Sequence, residues 1–199
     1  MLFRSGSRVA VMTLGGGWGV VTADLCEAYG LQVPELDPAI IERIDQILPP
    51  YWSRSNPIDL VGEGDPSIPM TVMEALMKWE GCDAVINLGI MGRRHMVSRM
   101  AESVCAADPH CPPDFMEQVI QPHSEFEKKY IEHIVSLMEA HPKPVLGVSM
   151  LKDDTDRTVS SYADYTYKGL FYPTPEQAVK SLSKMVEYKR FLDREKQAG

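Results

Sequence analysis

The chain has 199 residues, 44% of them hydrophobic and 24% charged, and a formal net charge of −8. It is long enough to bury a substantial core and has the balance of a globular fold, not of a disordered chain. The acidic balance argues against a general nucleic-acid binder, no apolar run reaches membrane-spanning length, and the N-terminal MLFRSGSR lacks a signal peptide's apolar centre. The expected setting is therefore cytoplasmic, with neither nucleic acid nor membrane as partner.

Arg8 to Leu14 is an apolar, β-branched run that stops at Gly15, Gly16 and Gly17, with Gly19 following Trp18. From Val20 the apolar residues fall at helical spacing: Val20, Val21, Leu25, Ala28 and Tyr29. A buried strand, a glycine turn and a helix start are predicted. Glycine permits close backbone approach, and a helix start presents unpaired N–H groups with the positive end of the dipole, so the junction suits an anion. It equally suits a tight turn that binds nothing. The lysine of a GxxxxGK[ST] loop is absent, and Thr22 stands where a dinucleotide fingerprint needs its third small residue.

Gly30 is a natural helix stop, and an extended LQVPEL follows. Asp37 and Pro38 open a second helix with Ile40, Ile41, Ile44, Ile47 and Leu48 inward, ended by Pro49-Pro50. A loop then surrounds a short run, Pro57 to Val61, in which Asn56, Pro57 and Asp59 read as turn and loop-stapling residues. Another helix begins near Asp65-Pro66. Cys82 to Leu88 is a second buried strand, and GIMGRRHMVSRM a second glycine-marked strand-to-helix junction. Residues 109–122 read as irregular apart from a short helical piece over Asp114 to Val119, followed by a long amphipathic helix from Ser124 to Ala140. Lys143 to Met150 is a third strand, Asp153 to Tyr165 a polar stretch able to form a helix, and Gly169 to Tyr172 a fourth strand. Pro175 to Phe191 is the last helix, capped by Thr174, before a charged tail at 192–199. Strands alternating with helices predict a three-layer flavodoxin-like α/β domain with a mostly parallel sheet over residues 7–191, and residues 1–6 as a linker remnant. Its loops of interest follow the strands' carboxyl ends, where both glycine junctions fall.

Cys26, Cys82, Cys105 and Cys111 are widely spaced without a CxxC pair, so neither a metal site nor a disulfide framework is expected. Cys26 and Cys105 read as small core residues. Trp18, Met91 and Trp52 are candidates for apolar surface near the glycine loops.

The stretches RVAVMTLGGGWGVVTADLCEAYGLQVPEL, LPPYWSRSNPIDLVGEGDP, CDAVINL, KPVLGVSM and GLFYPTPEQAVKSLSKMVEYKRF resemble, in this order, the flavodoxin-like ligase domain of NDP-forming acyl-CoA synthetases, the succinyl-CoA synthetase-like superfamily. The likeness is weakest from Arg93 to His141. In that family a histidine carries a phosphoryl group between a CoA site and an ATP-grasp nucleotide site, and helix N-termini hold it. The resemblance implies a phosphate seat at Gly15, Gly16, Gly17, Trp18 and Gly19. It also implies partners in a CoA-binding/phosphohistidine domain and an ATP-grasp domain or subunit; a homo-oligomer, formed through the apolar surface around the glycine loops, is a further expectation. CoA, ATP/ADP and Mg are implied for the complete enzyme and none for this domain alone, so the chain is expected to be catalytically incomplete, either an excised domain or a separate subunit. Trp18 and Leu14 depart from the proline and polar residue usual in relatives. None of the five histidines has the family's phosphohistidine surroundings, so no catalytic residue is assigned. Arg93, Arg94 and His95 are auxiliary candidates, placed after the second strand, where guanidinium groups could face a phosphate. Two alternatives remain: a non-catalytic regulatory or scaffold module of the same fold, and a small nucleotide-binding flavodoxin-like protein.

Overall fold

The computed structural model describes residues 6–152, 157–161 and 164–198. β1 (Val9–Thr13) and β3 (Ala84–Leu88) are buried at every position, as parallel strands covered on both faces must be. They join β2 (Ile58–Asp59), β4 (Val145–Val148), β5 (Val159–Ser160) and β6 (Gly169–Tyr172) in one sheet of order β2-β1-β3-β4-β6-β5. Every pairing is parallel except that of β5 with β6. Without the β5 edge this is the 2-1-3-4-5 order of flavodoxin-like folds. The predicted α/β class and mostly parallel sheet are present.

The strands' alternation splits the core into two. Val9, Val11, Ile86, Leu88, Leu146 and Val148 face α1 (Gly16–Ala28) and α6 (Pro175–Ala198). Ala10, Met12, Val85 and Val145 face α2 (Pro38–Asp45), α3 (Ser67–Lys78) and α5 (Phe115–Ala140). α4 (Arg93–Ala107) packs against α5 and buries only Ala101. Among the described residues, no helix is long and apolar enough to cross a membrane.

Asn56 staples the sheet's first edge as its sequence setting implied. Its Oδ1 accepts the Val11 amide at 2.9 Å and its Nδ2 donates to the Val9 and Pro34 carbonyls, both at 3.0 Å. At the entries of the strands, Arg8 clamps Asp83 through Nε at 3.0 Å and Nη2 at 2.8 Å. The amide of Arg8 adds a third bond at 3.1 Å. This bidentate pair locks the entries of β1 and β3 together.

Several expectations need correction. α1 begins at Gly16, inside the glycine run, and buries Gly19, Thr22 and Cys26, while Val20 and Val21 stand 61% and 52% exposed. The helical period was right and its phase wrong, because the closest approach to the sheet is made by glycine. A Cβ at Gly19 would lie 3.0 Å from Pro57 Cβ and 3.1 Å from Thr13 Cγ2. The break expected before Ser124 is absent, and α5 runs through Pro122. Both Pro122 and Gln118 are exposed, so the carbonyl deprived of a helical donor faces water. The expected helix over 153–165 falls partly outside the described residues. Val159 and Ser160 within it form an edge strand, where the Phe171 amide donates to the Thr158 carbonyl at 2.8 Å. α6 continues past Phe191 to Ala198. Cys105 is not a core residue but is disulfide-bonded to Cys111. The turn after α4, with Asp108 N–H bonded to Val104 O and Cys111 N–H to Asp108 O, returns the chain so that the two Cα atoms lie 5.0 Å apart. Cys26 is a core thiol as expected, and burial pushes its pKa up to about 12.

Trp52 is core as well, not surface, and its Nε1 donates to Asp45 Oδ1 at 2.7 Å. That bond first, and then Arg54, hold the Asp45 carboxyl below its ordinary 3.8. A depressed folded pKa gives stability that is complete above the unfolded value and is lost as pH falls through the folded one. Acid titration should therefore change Trp52 emission with a midpoint below 3.8, and Asp45→Asn should remove that transition while leaving the neutral-pH fold intact. A wild-type emission profile identical to that of Asp45→Asn would refute the coupling.

Candidate functional site

The crevice outside the carboxyl ends of β1 and β3, where strand order reverses, is the expected ligand position in such a sheet. Thr13, buried at the end of β1, closes the loop: its hydroxyl donates to Gly15 O at 2.8 Å and accepts from Gly15 N at 3.1 Å. Gly15 is extended and is the N-cap of α1, with no side-chain cap. Its carbonyl receives Trp18 N–H at 3.2 Å and Gly19 N–H at 3.4 Å. The amides of Gly16 and Gly17 have no partner among the described residues, and the first turn carries no acid. The start of α1 is thus an open pair of donors at the positive end of a thirteen-residue helix.

Above those donors is a cavity of about 400 Å³, walled by the glycine loop with Leu14, Trp18, Gly89 and Met150. Trp18 is 36% exposed, and one edge of its ring reaches the space beside Gly89. Met91 and Trp52, expected at this surface, are buried instead; Val20 and Val21 are exposed on α1 after Trp18, outside the cavity lining. Asp59 stands at the side. Its Oδ1 accepts the Val61 amide at 2.8 Å, while Oδ2 lies 3.1 Å from where a Gly16 Cβ would be. Gly17 has open space around its Cβ position, so the fold itself does not require glycine there.

The second junction is built differently. Gly92, at φ +81°, is the N-cap of α4, and a Cβ there would strike the Leu151 backbone. The Gly92 amide donates to Glu127 Oε1 at 2.8 Å and the Arg94 amide to the same oxygen at 3.3 Å. Arg94 Nε donates to Oε2 at 3.1 Å. The buried carboxylate of Glu127 therefore occupies the place an outside anion would take. A separate cavity of about 330 Å³ lies beside it, bordered by Arg94, Lys128, Ser149 and Arg157. Arg93, Arg94 and His95 all lie in the first turn of α4, and none of them lines the Gly15–Gly19 cavity. Sequence reading missed Glu127, although its place in the inward stripe with Tyr130, Ile131 and Ile134 carried the signal: an acid among core positions needs a donor set. Among the described residues, no group of three or more His, Cys, Asp or Glu is placed to hold a metal ion.

Residues 9–106 match the family described as Ligase-CoA domain. An ADP-forming acetate–CoA ligase of Methanocaldococcus jannaschii is 36% identical over 62 residues, 31% of this chain and 9% of that protein. The alpha subunit of ADP-forming acetate–CoA ligase I of Pyrococcus furiosus is 25% identical over 195 residues, 96% of this chain and 35% of that subunit. A dinucleotide-forming acetyl-coenzyme A synthetase 1 of Ca. Korarchaeum cryptofilum, solved with phosphate and ADP, superposes with a TM-score of 0.55 at 21% identity, covering 93% of this chain and 33% of its own. The chain thus spans about a third or less of the length of these relatives. In sequence and in fold it is similar to a part of these ADP-forming acyl-CoA ligases.

Removing Glu127 would strand two amides and a guanidinium. Glu127→Ala should cost about 3 kcal/mol, the low end for breaking a buried pair because Arg94 stays partly exposed. Added formate or acetate should restore part of that in a thermal melt, while Glu127→Gln, which keeps an acceptor, should lose less. Equal melting temperatures for Glu127→Ala and wild type would show that the carboxylate does not hold the α4 terminus.

Proposed function

We propose that this relative of the NDP-forming acyl-CoA synthetase ligase domain uses the start of α1 to hold a phosphoryl group brought to it on a histidine of another domain or subunit. The observation that carries the reading is the contrast between the two junctions at one sheet edge. The α4 terminus is filled by Glu127, whereas Gly16 and Gly17 at the α1 terminus point two donors into a cavity. Backbone amides and a helix dipole bind phosphate without a lysine. The groups assigned here are Gly15, Gly16, Gly17, Trp18 and Gly19, with Gly19 serving the close approach of helix to sheet and Trp18 the cavity wall. Arg94 is committed to Glu127, and Arg93 and His95 lie outside the cavity lining, so the seat is left to the backbone of the glycine loop. CoA, nucleotide and Mg belong in this reading to the other parts of a complete enzyme, together with the phosphohistidine and ATP-grasp domains. The bound phosphoryl group would be received, held and released, and no bond would be made or broken by a side chain of this domain.

A specific observation favours a second reading. The Asp59 carboxylate beside Gly16 opposes a dianion, and Leu14 offers no polar hydrogen to it. A regulatory or scaffold module that keeps the fold without the transfer would tolerate this arrangement.

Gly16→Pro separates the two. Gly15 is already extended, as a residue before proline prefers, and proline at the first helical position fits the backbone while deleting one donor. In the wild type, phosphate at millimolar concentration should shift the amides of Gly16 to Val20 in a ¹⁵N correlation spectrum, since a helix terminus contributes only about 0.3–2 kcal/mol. Gly16→Pro should abolish the shifts at unchanged stability. Shifts confined to other residues, or unaffected by the substitution, would remove the α1 seat from consideration.

A further inference from the structure

α4 touches the body on one side only. Of its fifteen residues Ala101 alone is buried, against α5. At 100° per residue, Arg93, Met96, Val97, Met100, Val104 and Ala107 fall within one stripe roughly 100° wide, adjoining that contact. Met100 is 61% and Val104 51% exposed, with Met96 and Val97 half-buried and Ala107 exposed. A contiguous apolar stripe on a surface helix marks an interface.

The charges on α4 say what covers it. A helix favours acid at its start and base at its end. α4 has the reverse, with Arg93, Arg94 and His95 in its first turn, Asp108 as its C-cap, no acid at the start and no base at the end. Glu127 answers Arg94. Asp108 is held in place: its amide donates to Val104 O at 3.0 Å, its Oδ1 accepts the His110 amide at 2.9 Å, and the Cys105–Cys111 disulfide closes the turn around it. An antiparallel copy of the same helix corrects both ends at once. With a two-fold axis at Met100, Arg93 of each copy stands over the C-terminal end of the other, beside the partner's Asp108. Met96 then opposes the partner's Val104, and Met100 meets its own counterpart.

We propose that α4 is a self-association surface through which two copies of this chain pack antiparallel as a two-fold dimer. The surface is separate from the Gly15–Gly19 cavity and does not depend on what that cavity binds. An isologous interface repeats each contact, so the Arg93–Asp108 pairing occurs twice and the stripe needs complementarity only to itself.

Sedimentation equilibrium of the full 199-residue chain tests this. The wild type should dimerise reversibly, and Met100→Glu should raise the dissociation constant at least about tenfold. Arg93→Glu and Asp108→Arg should each weaken the dimer, and the combined R93E/D108R chain should return to within about threefold of wild type, because the same pairs re-form with signs exchanged. Met100→Cys should cross-link to a dimer under mild oxidation, a readout that keeps the apolar character of the stripe. Circular dichroism confirms that each variant is folded; should one fail to fold, the Met100→Cys cross-link decides. A monomeric wild type at all concentrations, a dimer indifferent to Met100→Glu, a charge-exchanged chain no better than the single variants, or no cross-link at Met100→Cys would each overturn the proposal.

Discussion

The ends of helices organise this molecule. A helix terminus buried against a sheet leaves peptide groups that must find partners. At the start of α4 the partner is the Glu127 carboxylate, delivered from α5. At the end of α3 it is the buried ammonium of Lys143, which donates to the Leu76 carbonyl at 3.4 Å and to that of Trp79. Each is a full charge of the sign its terminus requires, placed where side-chain burial would otherwise be costly. The α1 start is served instead by the chain's own loop, which satisfies Gly15, Trp18 and Gly19 and stops short of Gly16 and Gly17. Both filled ends stabilise the fold, while the unfilled one is free for a ligand. The three helix ends thus differ in which groups the rest of the chain supplies to them.

The layout of the sheet was legible because its strands speak plainly. Val9–Thr13, Ala84–Leu88 and Val145–Val148 are short, apolar and followed by turns, and each formed where the pattern placed it. Helix phase was less legible at α1, since hydrophobicity marks a face only where side chains do the packing. Gly19 and Thr22 do it here, leaving Val20 and Val21 outside. The Cys105–Cys111 pairing was hidden for a different reason. A spacing of six residues says nothing until the fold turns the chain back after Val104. Glu127 and Lys143 were passed over because charged residues in amphipathic or strand patterns usually face water. Only the termini they meet explain them.

The candidate seat combines elements that pull in different directions. Leu14, Trp18 and Met150 make part of the cavity wall apolar, and a lower local dielectric strengthens the pull of two amides on an anion. The same apolar walls raise the cost of stripping water from a free phosphate dianion, and Asp59 adds repulsion from the side. Under the proposed reading these opposing effects are reconciled by the carrier. A phosphoryl group bonded to an imidazole arrives with a flat ring that can lie along Trp18. What the amides lack in number is then made up by docking of the domain that bears the histidine, through the exposed apolar side chains of Trp18, Val20 and Val21 on α1. In this proposal the seat is weak for the free ion and gains its specificity from the protein surface that arrives with the phosphoryl group.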